Sequence, residues 1–327
     1  MSVIIRNLLA ALAVMSAAAA AFAGAACAQA WPAKPIRLIA PYPPGGQTDV
    51  VARYFAEKLQ PALGQSVIVD NKAGAQGIVG TETGKNAPPD GYTFVYVNVS
   101  TICINPFVYA RLPYDVAKDF APVTQHGLSV LAMVVPPALG PKSVKEFVAY
   151  AKANTGKVSY ASFGPGSSSH IYGESLNQLA GLGMQHVPYK GAAPATQDVL
   201  AGHIPMTIQD LATVGPHIAS GKLTGLAVTS PQRWPRLPDI PSFDELGYPL
   251  NLVGWNGIMA PAGTPPEIVE RMSAELRKLV QSAEGKERLL DMGLLATGTT
   301  PVQMAELIRS GCPRWGEAVQ RAGIKPE

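Results

Sequence analysis

Residues 36–59 read IRLIAPYPPGGQTDVVARYFAEKL, an apolar run followed by a proline- and glycine-rich turn and an amphipathic segment. The apolar run Ile36–Ala40 is typical of a buried strand. Beyond the turn, apolar side chains recur at Val51, Phe55 and Leu59, the i, i+4, i+8 spacing of a helix with one buried face. The stretch therefore predicts a strand, a glycine loop and a helix, which is the repeating unit of α/β proteins.

Three later segments repeat this design. Their predicted strands are 66–69, 158–161 and 186–189, and the glycine loops after them are 71–77, 162–169 and 190–194. The first two loops lead into helices that begin near Ile78 and span His170 to about Ala180, and a further strand is predicted over Ile204–Ile208. The alternation predicts an α/β fold with largely parallel sheets.

Patterns typical of helix N-terminal caps predict three more helix starts, near residues 144, 265 and 301. They are Ser143-Val144-Lys145-Glu146, Thr264-Pro265-Pro266-Glu267 and Thr300-Pro301-Val302-Gln303. Pro313 lies inside the last helical pattern and predicts a kink or a break there, because proline lacks the N–H that a helix interior requires.

The composition excludes several classes of protein. The 327 residues include 26 Lys and Arg and 23 Asp and Glu, a net charge of +3, which is too small to attract nucleic acid electrostatically. Only 15% of the residues are charged, while 32 are Gly and 30 are Pro, so coiled coils, charged tails and long disordered segments are not expected. The length suffices for two modest domains.

Residues 1–30 have the pattern of a cleaved signal peptide, with Arg6, an apolar core and a small-x-small site ending at Ala30. A lipoprotein signal at Cys27 is the less favoured alternative, because Gly24 stands where an aliphatic residue is preferred. No later stretch reaches the ~20 apolar residues that span a bilayer. The mature protein is therefore expected in a periplasm.

Two cysteines follow the predicted cleavage site, Cys103 and Cys312. An oxidising compartment permits a disulfide between them. Two separate buried thiols are an equally acceptable interpretation, because the sequence gives no distance.

The glycine loops suggest a binding chemistry. A helix N-terminus carries unpaired N–H groups and about half a positive charge, so a loop that leads into one can hold an anion without Lys or Arg. Hydroxyl groups and aromatic rings accompany these loops at Thr48, Thr101, Ser167, Ser168, Ser169, Tyr42, Phe163 and Tyr189. Together they predict a polar, aromatic-walled cleft for a small carboxylate. The alternative is that each loop merely joins a strand to a helix.

Enzyme motifs fit poorly. No G-x-S-x-G elbow or G-x-G-x-x-G loop is present, and Gly80–Lys85 is one residue short of a phosphate loop. Ser168 and His170 could form a nucleophile and base, although residues two apart at a helix start point in different directions. His170 and Glu174 are the one ligand-like pair at helical spacing, too weak to predict zinc. Neither cofactor nor metal is expected.

At this point several motifs, in order along the chain, are similar to those of a known family. They are 41–53 (PYPPGGQTDVVAR), 67–77 (VIVDNKAGAQG), 89–92 (PDGY), 104–106 (INP), 166–170 (GSSSH), 187–191 (VPYKG), 237–241 (LPDIP), 247–249 (GYP) and 260–265 (APAGTP). On these residues the chain resembles the Bug (TctC-like) extracytoplasmic solute receptors over about residues 31–327.

The resemblance implies a type II periplasmic binding protein, in which two α/β lobes close on a ligand in the cleft between them. It assigns 31–127 plus 253–327 to lobe 1 and 128–252 to lobe 2, with a hinge near 126–129 and 250–257. It also implies a monomeric receptor that delivers a small carboxylate to the permease subunits of a tripartite tricarboxylate transporter.

Carried over position by position, the resemblance implies ligand contacts from both lobes. The first lobe would supply Tyr42, Gly46, Thr48, Asp49, Ala73, Gly74, Ala75 and Gly77, with Thr101 nearby. The second would supply Ser167, Ser168, Ser169 and His170, with Phe163, Tyr189 and Lys190 as walls and Gln209 and Asp210 beyond the predicted strand.

Three of these positions have alternative interpretations. Asp49 lies where a carboxylate is favoured by the helix dipole alone, and Lys190 is as well explained as a solvated cation. After the predicted strand, the family often places an Asp that can meet an amino group, whereas here Gln209 holds that position. We therefore favour a dicarboxylate or an aromatic carboxylate over an amino acid.

Two other classes of function remain as alternatives at this level. One is an exported hydrolase or isomerase that uses Ser168 and His170. The other is a structural or adhesive exported protein. The order of the motifs favours the receptor.

Overall fold

The computed structural model describes residues 31–250 and 252–324. The predicted signal peptide and the alternative lipid site at Cys27 lie outside the described residues.

Eleven strands are found in the described residues, and they form two sheets. They are β1 Ile36–Ala40, β2 Val67–Asn71, β3 Thr93–Asn98, β4 Phe120–Ser129, β5 Leu131–Val135, β6 Ser159–Ser162, β7 Gln185–Pro188, β8 Met206–Asp210, β9 Thr224–Val228, β10 Gly254–Pro261 and β11 Leu294–Ala296. The first sheet has the order β11-β4-β10-β3-β1-β2, and the second has the order β7-β6-β8-β5-β9.

The helices of the described residues pack against these sheets. They are α1 Gln47–Leu63, α2 Ile78–Lys85, α3 Asn105–Val108, α4 Val116–Asp119, α5 Val144–Ala153, α6 Ser168–Ala180, α7 Ala192–Leu200, α8 Leu211–Ala219, α9 Pro266–Gln281, α10 Ala283–Asp291 and α11 Pro301–Arg321. Segment 100–104 adds a π-helical turn after β3. Among these residues no helix is both long and apolar enough to cross a bilayer.

The prediction of largely parallel sheets is only partly right. β1 pairs in parallel with β2 and β3, and β6 pairs in parallel with β7 and β8, as the strand-loop-helix units require. β10, however, runs antiparallel to both β3 and β4, and β5 runs antiparallel to β8 and β9. The antiparallel pairs arise where the chain passes from one sheet to the other and back.

The passages between the sheets are short and adjacent. A single residue, Val130, separates β4 of the first sheet from β5 of the second. The chain returns to the first sheet at Gly254, which pairs with Ser129. The expected hinge segments, 126–129 and 250–257, coincide with these passages, while the hinge motion and the exact lobe boundaries remain predictions.

The predicted helix caps have different outcomes. All three predicted starts are confirmed, since helices begin at Val144, Pro266 and Pro301. The Ser143 hydroxyl accepts from the Glu146 N–H, and Thr300 and Gln303 form the reciprocal pair of a capping box. Thr264 instead donates its hydroxyl to the Pro261 carbonyl at 2.7 Å, and the helix starts at Pro266 without a side-chain cap.

Of the two outcomes predicted at Pro313, a break is wrong, because α11 continues from Pro301 to Arg321, and a kink stays a prediction. Cys312 forms a disulfide with Cys103, their Cα atoms being 4.5 Å apart, and Trp315 is buried one turn further on. Of the two interpretations that the sequence left open for these cysteines, the structure has the disulfide.

Candidate functional site

Helix α1 begins at the cleft with free donors. Its N-cap, Gly46, has no side chain to accept from the first turn, and Gly46, Gln47 and Thr48 all line the cleft. The first N–H groups of the helix are therefore available to an anion. Gly45 makes the preceding turn at φ +90°, a conformation that disfavours other residues.

Helix α7 offers a second uncapped start from the other sheet. Its N-cap is Gly191 at φ +121°, and Gly191 and Ala192 line the same cleft. The two starts face each other closely: a Cβ on Gly191 would lie 3.2 Å from Cδ of Pro43, and a Cβ on Gly46 would lie 4.0 Å from that of Ala192. Two helix N-termini, one from each lobe, thus adjoin at the cleft, and a helix N-terminus favours an anion.

The cleft between the two helix starts is partly open to solvent. Its lining residues are Tyr42, Pro43, Pro44, Gly46, Gln47, Thr48, Asn98, Val99, Ser129, Leu131, Phe163, Ser168, Gly191, Ala192, Ala193, Pro194, Asp210, Gly254, Trp255 and Asn256. Six residues of the sequence prediction are among them: Tyr42, Gly46, Thr48, Phe163, Ser168 and Asp210.

The two lobes contact each other across the cleft. The rings of Tyr42 and Phe163 pack edge to face across the cleft, with their centroids 6.5 Å apart. The Ser168 N–H donates to the Ser100 hydroxyl of the other lobe at 3.2 Å. Any separation of the lobes would break both contacts.

Asp49 lies behind the cleft rather than in it. Its carboxylate accepts from the Gly45 N–H at 3.1 Å and from Asn71 at 3.1 Å, and it pairs with Arg53 at 2.9 Å. Burial favours a higher pKa for Asp49, but these hydrogen bonds and the Arg53 charge outweigh it, and the pKa is lowered. Asp49 therefore fixes the loop that presents the start of α1.

The predicted segment of Ala73, Gly74, Ala75 and Gly77 also lies outside the cleft lining. The backbone of this segment supports Tyr42, whose hydroxyl donates to the Gln76 carbonyl at 3.4 Å. Gly77 has φ +84°, and a Cβ there would lie 2.7 Å from Thr101. Thr101 in turn donates its hydroxyl to the Asn98 carbonyl at 3.1 Å, so it positions a lining residue without lining the cleft itself.

Three predicted residues at the start of α6 form hydrogen bonds with backbone groups instead of facing the cleft. Ser167 caps the helix by accepting from the His170 N–H at 3.1 Å, and Ser169 donates to the Ile208 carbonyl. The Nδ1 atom of His170 accepts from the Gly166 N–H at 3.0 Å. Only Ser168 of this run reaches the cleft lining.

The predicted walls after β7 face elsewhere. Tyr189 donates its hydroxyl to Asp198 at 2.5 Å, and Lys190 is exposed outside the cleft lining. Lys190 thus fits the alternative of a solvated cation.

Asp210 and Gln209 exchange the roles that the sequence suggested. β8 ends at Asp210, two residues beyond the predicted strand, so Asp210 lines the cleft and Gln209 is buried behind it. The Oδ1 atom of Asp210 accepts from the N–H and the hydroxyl of Thr213, at 3.0 and 2.7 Å. Burial raises the pKa of Asp210. The argument against an amino group in the ligand therefore loses its basis.

Lys, Arg and His are absent from the described lining of the cleft. Tyr42 stays neutral, because burial raises its pKa to about 12. Asp210 is thus the one lining side chain that can carry a charge near neutral pH. An anion here must be held by backbone N–H groups and neutral donors.

Several lining residues were missed at the sequence level, above all Gln47, Asn98, Ser129 and Asn256. Asn98 and Ser129 end strands, where ligands of α/β proteins usually bind. The tendency of ligands to bind at strand ends could have identified Asn98 and Ser129 once the strands had been predicted.

Ser168 and His170 do not form a catalytic pair. The His170 ring stacks on that of His186 with centroids 3.6 Å apart, and its Nδ1 atom is already occupied by Gly166. Glu174 accepts from the Tyr160 hydroxyl at 2.6 Å instead of joining His170 at a metal. Within 31–250 and 252–324, no group of His, Cys, Asp and Glu is arranged to hold a metal ion.

Two α/β lobes with a cleft between them define the class of type II periplasmic binding proteins. Residues 51–324 match the sequence model of the "Tripartite tricarboxylate transporter family receptor". The chain belongs to this receptor family, as its motifs predicted.

Known proteins support this assignment along nearly the whole chain. Protein BugT of Bordetella pertussis is 36% identical over 310 residues, which are 94% of this chain and 95% of BugT. The structure of R. palustris Rpa4515 with adipate superposes with a TM-score of 0.89 at 32% identity, covering 91% of this chain and all of that one. The structure of MatC from Rhodopseudomonas palustris with bound malate superposes with a TM-score of 0.82 at 28% identity, covering 88% of this chain and all of MatC.

The family consists of substrate-binding receptors, so the chain is a solute receptor and not an enzyme. The hydrolase or isomerase alternative is therefore excluded.

Proposed function

We propose that the protein is a periplasmic receptor that binds a small carboxylate by lobe closure and delivers it to a tripartite tricarboxylate-type permease. The single observation that carries the proposal is the meeting of two uncapped helix starts, at Gly46 and Gly191, in a cleft without a cationic side chain. Such N–H groups suit a carboxylate, which they can hold with about half a charge from each helix.

Closure gives the mechanism of binding. The start of α1 belongs to one lobe and the start of α7 to the other, so a carboxylate contacts both only when the lobes have closed. A ligand with contacts unique to one state shifts the population toward that state. The closed monomer is then the form that the permease recognises.

The wall of the cleft bears on the ligand class. Phe163 and Trp255 add aromatic surface, which favours an aromatic carboxylate, and the adipate and malate of the two solved relatives favour a dicarboxylate. Asp210 supports a second candidate, a carboxylate whose other end carries an amino group, because the Asp210 carboxyl group offers an acceptor for that amino group in a cleft without cations.

The experiment is a thermal-shift screen of the mature protein, followed by calorimetry on every hit. The panel contains adipate, malate, benzoate and a set of amino acids, and each mixture is inspected by NMR for products. Binding without turnover supports the receptor. Turnover, or no binding to any carboxylate, contradicts it.

Two variants test the site. Thr48→Ala combined with Ser168→Ala removes two neutral hydrogen-bond donors from the lining, and the affinity should fall roughly 5- to 150-fold. Thr155→Ala combined with Ser220→Ala changes two exposed hydroxyls and should leave the affinity unchanged. Equal affinities of the two double variants would overturn the site assignment.

A further inference from the structure

Gln47 is the first residue of α1, and its side chain is turned inward instead of toward solvent. Only 7% of the residue is exposed, and it lines the cleft beside Gly46. A polar side chain at the first position of a helix normally meets water, so a buried amide needs partners within the protein.

The partners of Gln47 come from both passages between the lobes. Its Oε1 atom accepts from the Ser129 hydroxyl at 3.0 Å and from Nδ2 of Asn256 at 2.7 Å. Ser129 ends the strand that leaves the first sheet, and Asn256 lies near the start of the strand that returns to it. The amide oxygen therefore joins the two strands on which the lobes would turn.

The amide nitrogen extends this connection toward the other lobe. Nε2 of Gln47 donates to the Met292 carbonyl at 2.9 Å. The next residue, Gly293, accepts from the Val130 N–H at 3.1 Å, and the Val130 carbonyl accepts from the Leu211 N–H at 3.4 Å. Leu211 is the first residue of α8 and directly follows Asp210.

We infer that Gln47 is a positioning residue, which ties the anion-binding start of α1 to both passages between the lobes and so makes anion binding and lobe closure one coupled event. This inference rests on the proposed function. The amide suits the task because one side chain supplies an acceptor for two donors and a donor for a carbonyl. A glutamate would lose the donor and place a negative charge beside the anion.

The first arm of the test needs no ligand. In Gln47→Met the side chain keeps its length and loses all three hydrogen bonds, so the amide of Val130 should exchange with solvent about tenfold faster. Gln60→Met, an exposed position on the same helix, is the matched control and should not change this rate. If the rate at Val130 is the same in Gln47→Met as in the wild type, the inference is overturned.

The second arm uses a carboxylate from the panel that binds the wild type. Gln47→Met should release it about tenfold faster, with little change in the association rate, because the open form still offers the first helix start. A purely structural role would lower the melting temperature and leave the dissociation rate unchanged. Faster exchange at Val130 together with an unchanged dissociation rate therefore overturns the coupling.

The two arms separate this inference from the proposed function. If no carboxylate binds the wild type, the proposed function fails while the exchange arm still decides whether Gln47 holds the passages. If Gln47→Met does not fold, Ser129→Ala removes one hydrogen bond and should shift both rates in the same direction by a smaller factor.

Discussion

Removing the disulfide between Cys103 and Cys312 should cost the protein a large part of its stability. The bond closes a loop with a sequence separation of 209 residues. In the chain-entropy model, a loop of this length destabilises the unfolded state by about 5 kcal/mol. With an unfolding entropy of about 2.1 cal/mol/K per residue over about 300 residues, the melting temperature should fall by about 8 °C.

The assay compares thermal unfolding of three forms of the mature protein. They are the oxidised wild type, the wild type in reductant, and the variant with Cys103→Ala and Cys312→Ala. Reduction keeps both sulfur atoms in the core, so the difference between the second and third forms reports lost packing, and the difference between the first and second reports the cross-link. Reductant should not change the variant.

A shift of less than about 2 °C on reduction would refute the reasoning, because the cross-link would then not restrict the unfolded chain. Thiol titration of the denatured, unreduced protein gives an independent check. Two free thiols would show that the bond does not form.

Three further predictions follow from the cleft and its surroundings. Gly191→Ala should lower both the melting temperature and the carboxylate affinity, because a φ of +121° strains alanine and the added Cβ would lie 3.2 Å from Pro43. Thermal unfolding measures the first effect and calorimetry the second. Burial lowers the pKa of His170 to about 3 and that of His186 to about 4, so the unfolded chain binds more protons in acid than the folded chain does. The free energy of unfolding should therefore decrease as the pH falls from about 6.5 to about 3. Urea unfolding at a series of pH values measures this free energy, and a constant value over this range contradicts the prediction. Asp210→Asn should lower the affinity for an amino-bearing ligand at least tenfold and should leave unchanged or raise the affinity for a dicarboxylate. Competition calorimetry measures both affinities.

The sequence predicted local structure where it is encoded locally. β1 was placed at its observed residues, and α2 begins at the predicted Ile78. The box at Thr300 could be identified because both partners lie within four residues. The box at Thr264 failed because its hydroxyl found a closer acceptor in Pro261, which belongs to a strand that the pattern did not include.

The candidate site was harder to predict because its residues come together only through the tertiary fold. The hydroxyl of Ser167 has the right chemistry for a ligand contact, but it caps its own helix. Gln47 carries no motif, and its role depends on Ser129 and Asn256, which are 82 and 209 residues away. At Asp210, a strand that lies two residues further along the chain than predicted decided which of two neighbours meets the cleft.

The position of β10 in the first sheet has a consequence for how the chain folds. β10 lies between β3 and β4, although it follows them by more than a hundred residues. The first sheet is therefore split until residue 261 is available, whereas β5–β9 are continuous in sequence. We expect the second lobe to fold before the first, because all strands of its sheet are available before β10 completes the first sheet.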